Sequence, residues 1–135
     1  MAEITGGCLC GNVRYQASGE PIFQGVCHCT DCQRSAGTAF NVTIAFREDD
    51  VRLTGELKLY QSKSEAGGDV SRWFCPTCGS GIYSQPATAP GMMFVKAGTL
   101  DDTSILAPRV HIFTDSRQSW LTLPDDALTF PRSPT

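Results

Sequence analysis

Seven cysteines are the residues of this sequence best suited to chemistry, and they fall into three clusters. The clusters are Cys8-Leu9-Cys10, Cys27-His28-Cys29-Thr30-Asp31-Cys32 and Cys75-Pro76-Thr77-Cys78-Gly79. Because seven is an odd number, disulfide pairing within the chain cannot use every thiol. Clustered thiolates are typical ligands of zinc. The clusters therefore predict metal binding.

The first and third clusters each offer two thiolates to one ion. In an extended backbone alternate side chains share a face, so Cys8 and Cys10 can present both sulfurs to the same metal. In the third cluster a tight turn brings Cys75 and Cys78 together, and Gly79 is able to take a positive φ there. Neither pair completes a tetrahedral site alone, whereas together they form a four-thiolate site of the structural kind.

The middle cluster differs because it holds three thiols within six residues. A run this dense favours one ion whose fourth coordination position is left to water or substrate, which is the pattern of catalytic zinc. His28 lies between two of these cysteines, and in an extended segment its side chain points to the opposite face. We therefore expect a structural or supporting histidine, with direct metal binding as the alternative.

A second division of the cysteines is compatible with the spacing. The pairs Cys29-x2-Cys32 and Cys75-x2-Cys78 together are typical of a zinc ribbon. That division leaves Cys8, Cys10 and Cys27 without a role, although a free cysteine can also be a small buried apolar residue. Spacing alone leaves both divisions open.

The segments that must position these clusters read as short strands separated by turns. Residues Val51–Leu53 and Leu57–Tyr60 flank the turn at 54–56 and predict a hairpin. The segment Thr30–Ala36 is the one that looks helical, and it is short. Many brief strands with frequent Gly and Pro predict an all-β domain. The other predicted strands are Val13–Ala17, Ile22–Val26, Thr38–Phe46, Val70–Phe74, Gly81–Ser84, Met92–Ala97 and Arg109–Thr114.

Length and composition are those of one globular domain spanning residues 1–135, with 41% hydrophobic and 19% charged residues. The net charge of −3 argues against binding to nucleic acid or to an anionic membrane surface. No apolar stretch approaches the roughly 20 residues of a membrane span. The first residues show no secretory pattern, so we expect a cytoplasmic protein whose thiols are reduced.

Three motifs, in this order along the chain, resemble those of the glutathione-dependent formaldehyde-activating enzyme family. The segment Pro108–Phe113, followed by Ser116-Arg117 and Trp120, is similar to the C-terminal signature of that family. The resemblance extends from about Gly6 to Phe130. The three motifs are Gly6-Gly7-Cys8-Leu9-Cys10-Gly11, Cys27-His28-Cys29-x2-Cys32-Gln33-Arg34-x2-Gly37 and Phe74-Cys75-Pro76-Thr77-Cys78-Gly79-Ser80.

This resemblance implies an Mss4-like fold, in which several coiled antiparallel β-sheets surround zinc with at most one short helix. It also implies two zinc ions per chain. The structural ion would be held by Cys8, Cys10, Cys75 and Cys78. The catalytic ion would be held by Cys27, Cys29 and Cys32.

The reaction implied by the resemblance adds the thiol of glutathione to formaldehyde and gives S-hydroxymethylglutathione. We therefore expect a carbon–sulfur lyase whose partners are a small thiol, glutathione or a similar molecule, and a small aldehyde. Arg34 and Arg117 are candidate anchors for a substrate carboxylate, with a surface charge as the alternative for Arg34. His111 is a candidate proton carrier, with a structural histidine as the alternative.

Two other functions deserve comparison. A non-catalytic zinc module that binds a protein partner is compatible with the implied fold, but it leaves the three thiols of the middle cluster idle. A methionine sulfoxide reductase looks similar in fold, yet its chemistry needs a nucleophilic cysteine late in the chain. No cysteine follows Cys78, which argues against that reading.

Overall fold

A computed structural model of the chain describes residues 3–64 and 67–133. Within these residues, eleven strands form two sheets and there is a single α-helix. The strands are β1 Ile4–Gly7, β2 Arg14–Ala17, β3 Phe23–Cys27, β4 Asn41–Arg47, β5 Val51–Thr54, β6 Lys58–Lys63, β7 Asp69–Phe74, β8 Gly81–Pro86, β9 Met92–Lys96, β10 Val110–Ile112 and β11 Leu128–Thr129. The helix, α1, is Thr30–Ala36.

The smaller sheet has the order β1-β2-β5 and the larger has the order β11-β10-β3-β4-β9-β8-β7-β6. All neighbours are antiparallel except β10, which runs parallel to both β3 and β11. This architecture confirms the predicted all-β fold class with one short helix. Among the described residues, no helix has the length and apolar character needed to cross a membrane.

Helix α1 has the predicted bounds because both of its ends are fixed by local hydrogen bonds. At the first end, the Cys29 sulfur accepts a hydrogen bond from the backbone N–H of Cys32 at 3.3 Å. At the other end, Gly37 takes a left-handed conformation with φ 69° and its N–H donates to the carbonyl of Gln33. Two of the three cysteines in the middle cluster are thus held by the start of one helix.

The predicted hairpin across residues 54–56 is wrong. Strand β5 pairs with β2, and β6 pairs with β7 in the other sheet. The reason is burial: Val51 and Leu53 pack against the core cluster, whereas Tyr60 of β6 is exposed. A hairpin would have placed both segments in one sheet, so the turn instead carries the chain from one sheet to the other.

The last predicted strand, Arg109–Thr114, is shorter in the structure. Strand β10 ends at Ile112 because Phe113 has a φ of 55°, which is left-handed and incompatible with an extended strand. Phe113 is nonetheless buried. Its backbone conformation turns the chain into a single 3₁₀ turn at Thr114–Ser116.

The hydrophobic core lies between the two sheets. Buried side chains of β4, β8 and β9 pack there against Tyr15 of the smaller sheet, and two cysteines belong to the same cluster. The main members are Cys8, Val13, Tyr15, Ile44, Phe46, Cys75, Ile82, Tyr83, Met93, Val95 and Leu100.

The opposite side of the larger sheet is defined by strand register, since residues directly across an antiparallel pair share a face. We call it the Cys27 face. Cys27 lies opposite Asn41, Thr43 lies opposite Lys96, and Phe94 lies opposite Ser84. The residues that define the face are Cys27, Asn41, Thr43, Arg72, Ser84, Phe94 and Lys96.

Candidate metal centres

The first centre brings together the cysteines that follow β1 and those in the turn between β7 and β8. The sulfurs of Cys8, Cys10, Cys75 and Cys78 all lie within 4.8 Å of one another. The sulfur of Cys10 is 3.6 Å from that of Cys8 and 3.8 Å from that of Cys75. Four thiolates around zinc at about 2.3 Å would have sulfurs separated by about 3.8 Å. The four residues therefore fit a tetrahedral zinc site.

Local hydrogen bonds hold these sulfurs in place. The backbone N–H of Val13 donates to the Cys8 sulfur at 3.2 Å. The Ser80 hydroxyl lies 3.2 Å from the Cys78 sulfur and accepts a hydrogen bond from the Leu9 N–H at 3.0 Å. The Ser80 hydroxyl is the largest cause that lowers the pKa of Cys78, to about 5. The turn thus favours the thiolate form of Cys78, which is the form that binds a metal.

The turn itself follows the prediction for the third cluster. Gly79 has a φ of 79°, and its N–H donates to the Cys75 carbonyl at 2.8 Å. The backbone N–H of Cys75 is in turn bonded to the carbonyl of Ser80. The sulfur-bearing side chain of Cys75 is completely buried in the core. This centre therefore connects the two sheets at the edge of the core.

The second centre consists of Cys27 at the end of β3, Cys29 before α1 and Cys32 within α1, and its three sulfurs lie within 4.8 Å of one another. Among the described residues, no fourth His, Cys, Asp or Glu completes the group. Three soft thiolate donors fit a zinc ion that keeps one position for another ligand. The alternative ribbon pairing is not formed, because Cys29 and Cys32 lie in a different group from Cys75 and Cys78.

The pKa values of the three thiols in the second centre depend on one another. Hydrogen bonding from Cys27, followed by that from Cys32, lowers the pKa of Cys29 to about 3. The same contact with Cys29 raises the pKa of Cys27. Cys29 is therefore the first of the three to become a thiolate, and it is also the sulfur that receives the helix N–H.

His28 turns away from the sulfurs and into the protein, where it is fully buried. Its Nε2 atom lies 2.9 Å from Nδ1 of His111, and the two rings stack with centroids 5.2 Å apart. Burial lowers the pKa of both imidazoles, so both are neutral at pH 7. The structure thus places His111 next to residues 27–32, which we call the cysteine loop, with a hydrogen bond to His28. The part of His111 in proton transfer stays a prediction.

A chain of side-chain hydrogen bonds links the C-terminal segment to the same loop. The Gln33 amide donates to the carbonyl of His28 at 2.7 Å and to that of Ser116 at 3.0 Å. The Gln118 amide donates to Gln33, and the Trp120 indole donates to Gln118. These bonds bring Gln33 into contact with the segment 116–120, although the two are far apart in the sequence.

Arg34, predicted as a substrate anchor, is an exposed residue of α1. It lines a cavity of about 500 Å³ together with Thr30, Gln33, Gln118 and Trp120. Within the described residues, none of the seven cysteines lines this cavity. A second cavity of about 560 Å³ lies beside β1 and β3, again without a cysteine in its lining. The role of Arg34 in binding stays a prediction.

Two cations that the sequence did not single out lie near the second centre. Burial lowers the pKa of Lys96, and a smaller opposite effect comes from the thiolates of Cys32, Cys27 and Cys29. Arg72 in turn contributes to the low pKa of Cys29. Their positions depend on strand pairing between distant segments, so no local sequence signal could have found them.

Comparison with known proteins agrees with the motifs. A family model described as glutathione-dependent formaldehyde-activating enzyme matches residues 3–116. A Rhodobacter sphaeroides protein of known crystal structure is 27% identical, covers 78% of this chain and 92% of its own, and has a TM-score of 0.59. No curated protein matches the chain. The matched region includes every cysteine of both centres, and the chain belongs to the glutathione-dependent formaldehyde-activating enzyme family.

Proposed function

We propose that the protein is a zinc-dependent carbon–sulfur lyase that joins a thiol, glutathione or a similar molecule, to formaldehyde or another small aldehyde. In this proposal Cys8, Cys10, Cys75 and Cys78 hold a structural zinc ion. A second, catalytic zinc ion is held by Cys27, Cys29 and Cys32. The free thiols suit a reducing compartment such as the cytoplasm.

The observation that carries the proposal is the separate three-thiol group outside the core. Zn²⁺ held there by three thiolates would form a site with a formal charge of about −1, and it would supply one position at which a substrate thiol is held as its thiolate. The reaction forms a bond between the thiol sulfur and the aldehyde carbon. The C=O π bond breaks, and the carbonyl oxygen takes up the proton that the thiol released, which gives an S-hydroxyalkyl product.

The chain's own residues support this chemistry by holding the cysteines still. The helix N–H keeps the Cys29 sulfur at the start of α1. The imidazole pair of His28 and His111 fixes the backbone between the two flanking cysteines. Gln33 bonds the same loop to the C-terminal segment. This rigidity favours a preorganised site over a flexible one.

The test is metal analysis of the wild-type protein and of a Cys27→Ser/Cys29→Ser/Cys32→Ser variant. We expect two zinc ions per chain in the wild type and one in a variant that stays folded. Purified wild-type protein should accelerate the combination of glutathione with formaldehyde, and the variant should not. If the variant unfolds, the division into structural and catalytic centres is wrong.

A non-catalytic zinc module that binds a protein partner is the other outcome of this test. It would bind zinc at the four-cysteine group in the same way. Absence of acceleration with glutathione and with a panel of other thiols, in a protein loaded with two zinc ions, would favour the module over the lyase.

A further inference from the structure

We infer that Lys96 and Arg72 form an anion subsite that binds a carboxylate of the thiol substrate, beyond the sulfurs of the second centre. The inference rests on the proposed function, since it assumes that a thiol is bound at Cys27, Cys29 and Cys32. The inference assigns the residues that bind the substrate beyond its thiol group. The substrate class it names is a thiol with a carboxylate several bonds from its sulfur.

Strand register places both cations on the Cys27 face. Lys96 lies opposite Thr43, which lies on the same strand face as Asn41, and Asn41 lies opposite Cys27. Arg72 of β7 lies opposite Ser84 of β8. Ser84 in turn lies opposite Phe94 of β9, which shares a strand face with Lys96. Lys96 lies two strands across the sheet from Cys27, and Arg72 lies four strands across. The two cations therefore extend outward from the thiols along one face.

Hydrogen bonds to neutral groups hold both side chains in place. The Lys96 ammonium donates to the side-chain amide oxygen of Asn41 at 3.0 Å, and the Arg72 guanidinium donates to the Ser62 hydroxyl at 2.7 Å. Lys96 also passes over Gly81, where its Cε would be 3.2 Å from an added Cβ. These contacts direct the ammonium group without neutralising it.

Neither cation has an acidic partner among the described residues. The ion pairs of residues 3–64 and 67–133 involve other basic side chains, at positions 14, 63, 109 and 132. Lys96 and Arg72 are both half-buried. A half-buried cation normally gains a carboxylate partner to offset the loss of water. Two such cations on one face of the sheet, each hydrogen-bonded only to a neutral group, point to a negatively charged ligand.

Charge also acts between these cations and the thiols. After the hydrogen bonds from Cys27 and Cys32, Arg72 contributes to the lowered pKa of Cys29, and together with burial it acts to lower the pKa of Lys96. Their positive charge therefore reaches the sulfurs as well as the face beyond them. The positive charge on this face has two explanations, a subsite that binds a substrate carboxylate and compensation for the negative charge of the thiolates. Only the first predicts that the effect of these cations on binding depends on a carboxylate in the ligand.

The experiment measures the binding of glutathione and of glutathione diethyl ester to zinc-loaded protein by isothermal titration calorimetry. Both probes carry the same thiol, but the ester has no carboxylate. The variants are Lys96→Met, Lys96→Arg and Arg72→Met. The matched control is Lys63→Met, which removes the same charge from an exposed side chain paired with Asp69. Zinc content and melting temperature are measured for each protein.

We expect Lys96→Met to weaken glutathione binding by about tenfold or more, as for the loss of a charged hydrogen bond, and to leave binding of the ester unchanged. Arg72→Met should act in the same direction, Lys96→Arg should restore part of the affinity, and Lys63→Met should change neither probe. An equal loss for both probes, or no loss for either, would overturn the subsite. Wild-type protein with two zinc ions that binds neither probe would overturn the proposed function and the subsite with it.

Discussion

His28 and His111 are 83 residues apart in sequence, yet their rings stack and Nε2 of one lies 2.9 Å from Nδ1 of the other. The Nδ1 atom of His28 is buried without a hydrogen-bond partner among the described residues. Because a buried N–H without an acceptor is rarer than an acceptor without a donor, we assign the proton of this bond to Nε2 of His28. The pair joins the cysteine loop to β10.

Removing one imidazole should therefore weaken the protein. His111→Ala leaves the Nε2–H of His28 buried without an acceptor, which should lower the free energy of unfolding by about 1–3 kcal/mol. His111→Gln keeps a side-chain acceptor and is the matched control. Urea denaturation of zinc-loaded proteins measures the difference, and equal stability of the alanine variant and the wild type would refute a structural role for the pair.

Ser80 should control zinc affinity at the first centre. Its hydroxyl supports the Cys78 thiolate and accepts the Leu9 N–H, so Ser80→Ala removes a hydrogen bond from a ligand without removing a ligand. Loss of such a supporting partner typically lowers metal affinity about 10–100-fold. Competition with a chelator measures this. Ser18→Ala, at an exposed serine whose hydroxyl donates to the Asp50 carbonyl, serves as the control and should leave the affinity unchanged.

Cys75→Ser should unfold the protein. The Cys75 side chain is completely buried in the core, and structural zinc contributes on the order of 10 kcal/mol of apparent binding free energy. We expect loss of the cooperative thermal transition and of the structural zinc ion, measured by calorimetry and metal analysis. Unchanged melting of the variant would show that the four-cysteine group does not hold the fold.

Stability should fall in alkaline solution through Tyr15. Burial raises the pKa of Tyr15 from 10.0 to about 12, against the effect of its hydrogen bond with Thr99. A raised pKa in the folded state means that the stabilisation is complete below pH 10 and is lost as the pH rises from 10 towards 12. The loss is at most about 2–3 kcal/mol.

Tyr15→Phe provides the control for that prediction. The phenylalanine cannot ionise, so the difference in unfolding free energy between wild type and variant should shrink as the pH rises from 9 to 12. Parallel pH profiles for the two proteins would contradict the assignment. The variant also loses the 2.7 Å hydrogen bond to Thr99, which should make it less stable than the wild type at pH 7.

The sequence was informative where the determinants are local. The helix over Thr30–Ala36 is capped by the residues directly beside it, Cys29 and Gly37. The cysteine spacing limited the ligand divisions to two. Pairing between distant segments was not available from the sequence. The hairpin across residues 54–56 failed because burial of Val51 and Leu53 assigns β5 to the smaller sheet. Lys96 was missed for a related reason, since only the register of β4 and β9 brings it towards the thiols.

The two cysteine groups differ in how much chain they enclose. The second is complete within six residues, whereas in the first Cys10 and Cys75 are 65 residues apart. Closing the long loop costs more conformational entropy than closing the short one. A newly made chain can therefore chelate metal at the second group before residue 78 has left the ribosome, but the first group must wait for both sheets to meet. With the proposed structural zinc ion at the first group, metal binding there would be coupled to completion of the fold, and we expect a protein short of zinc to lose its architecture through that group.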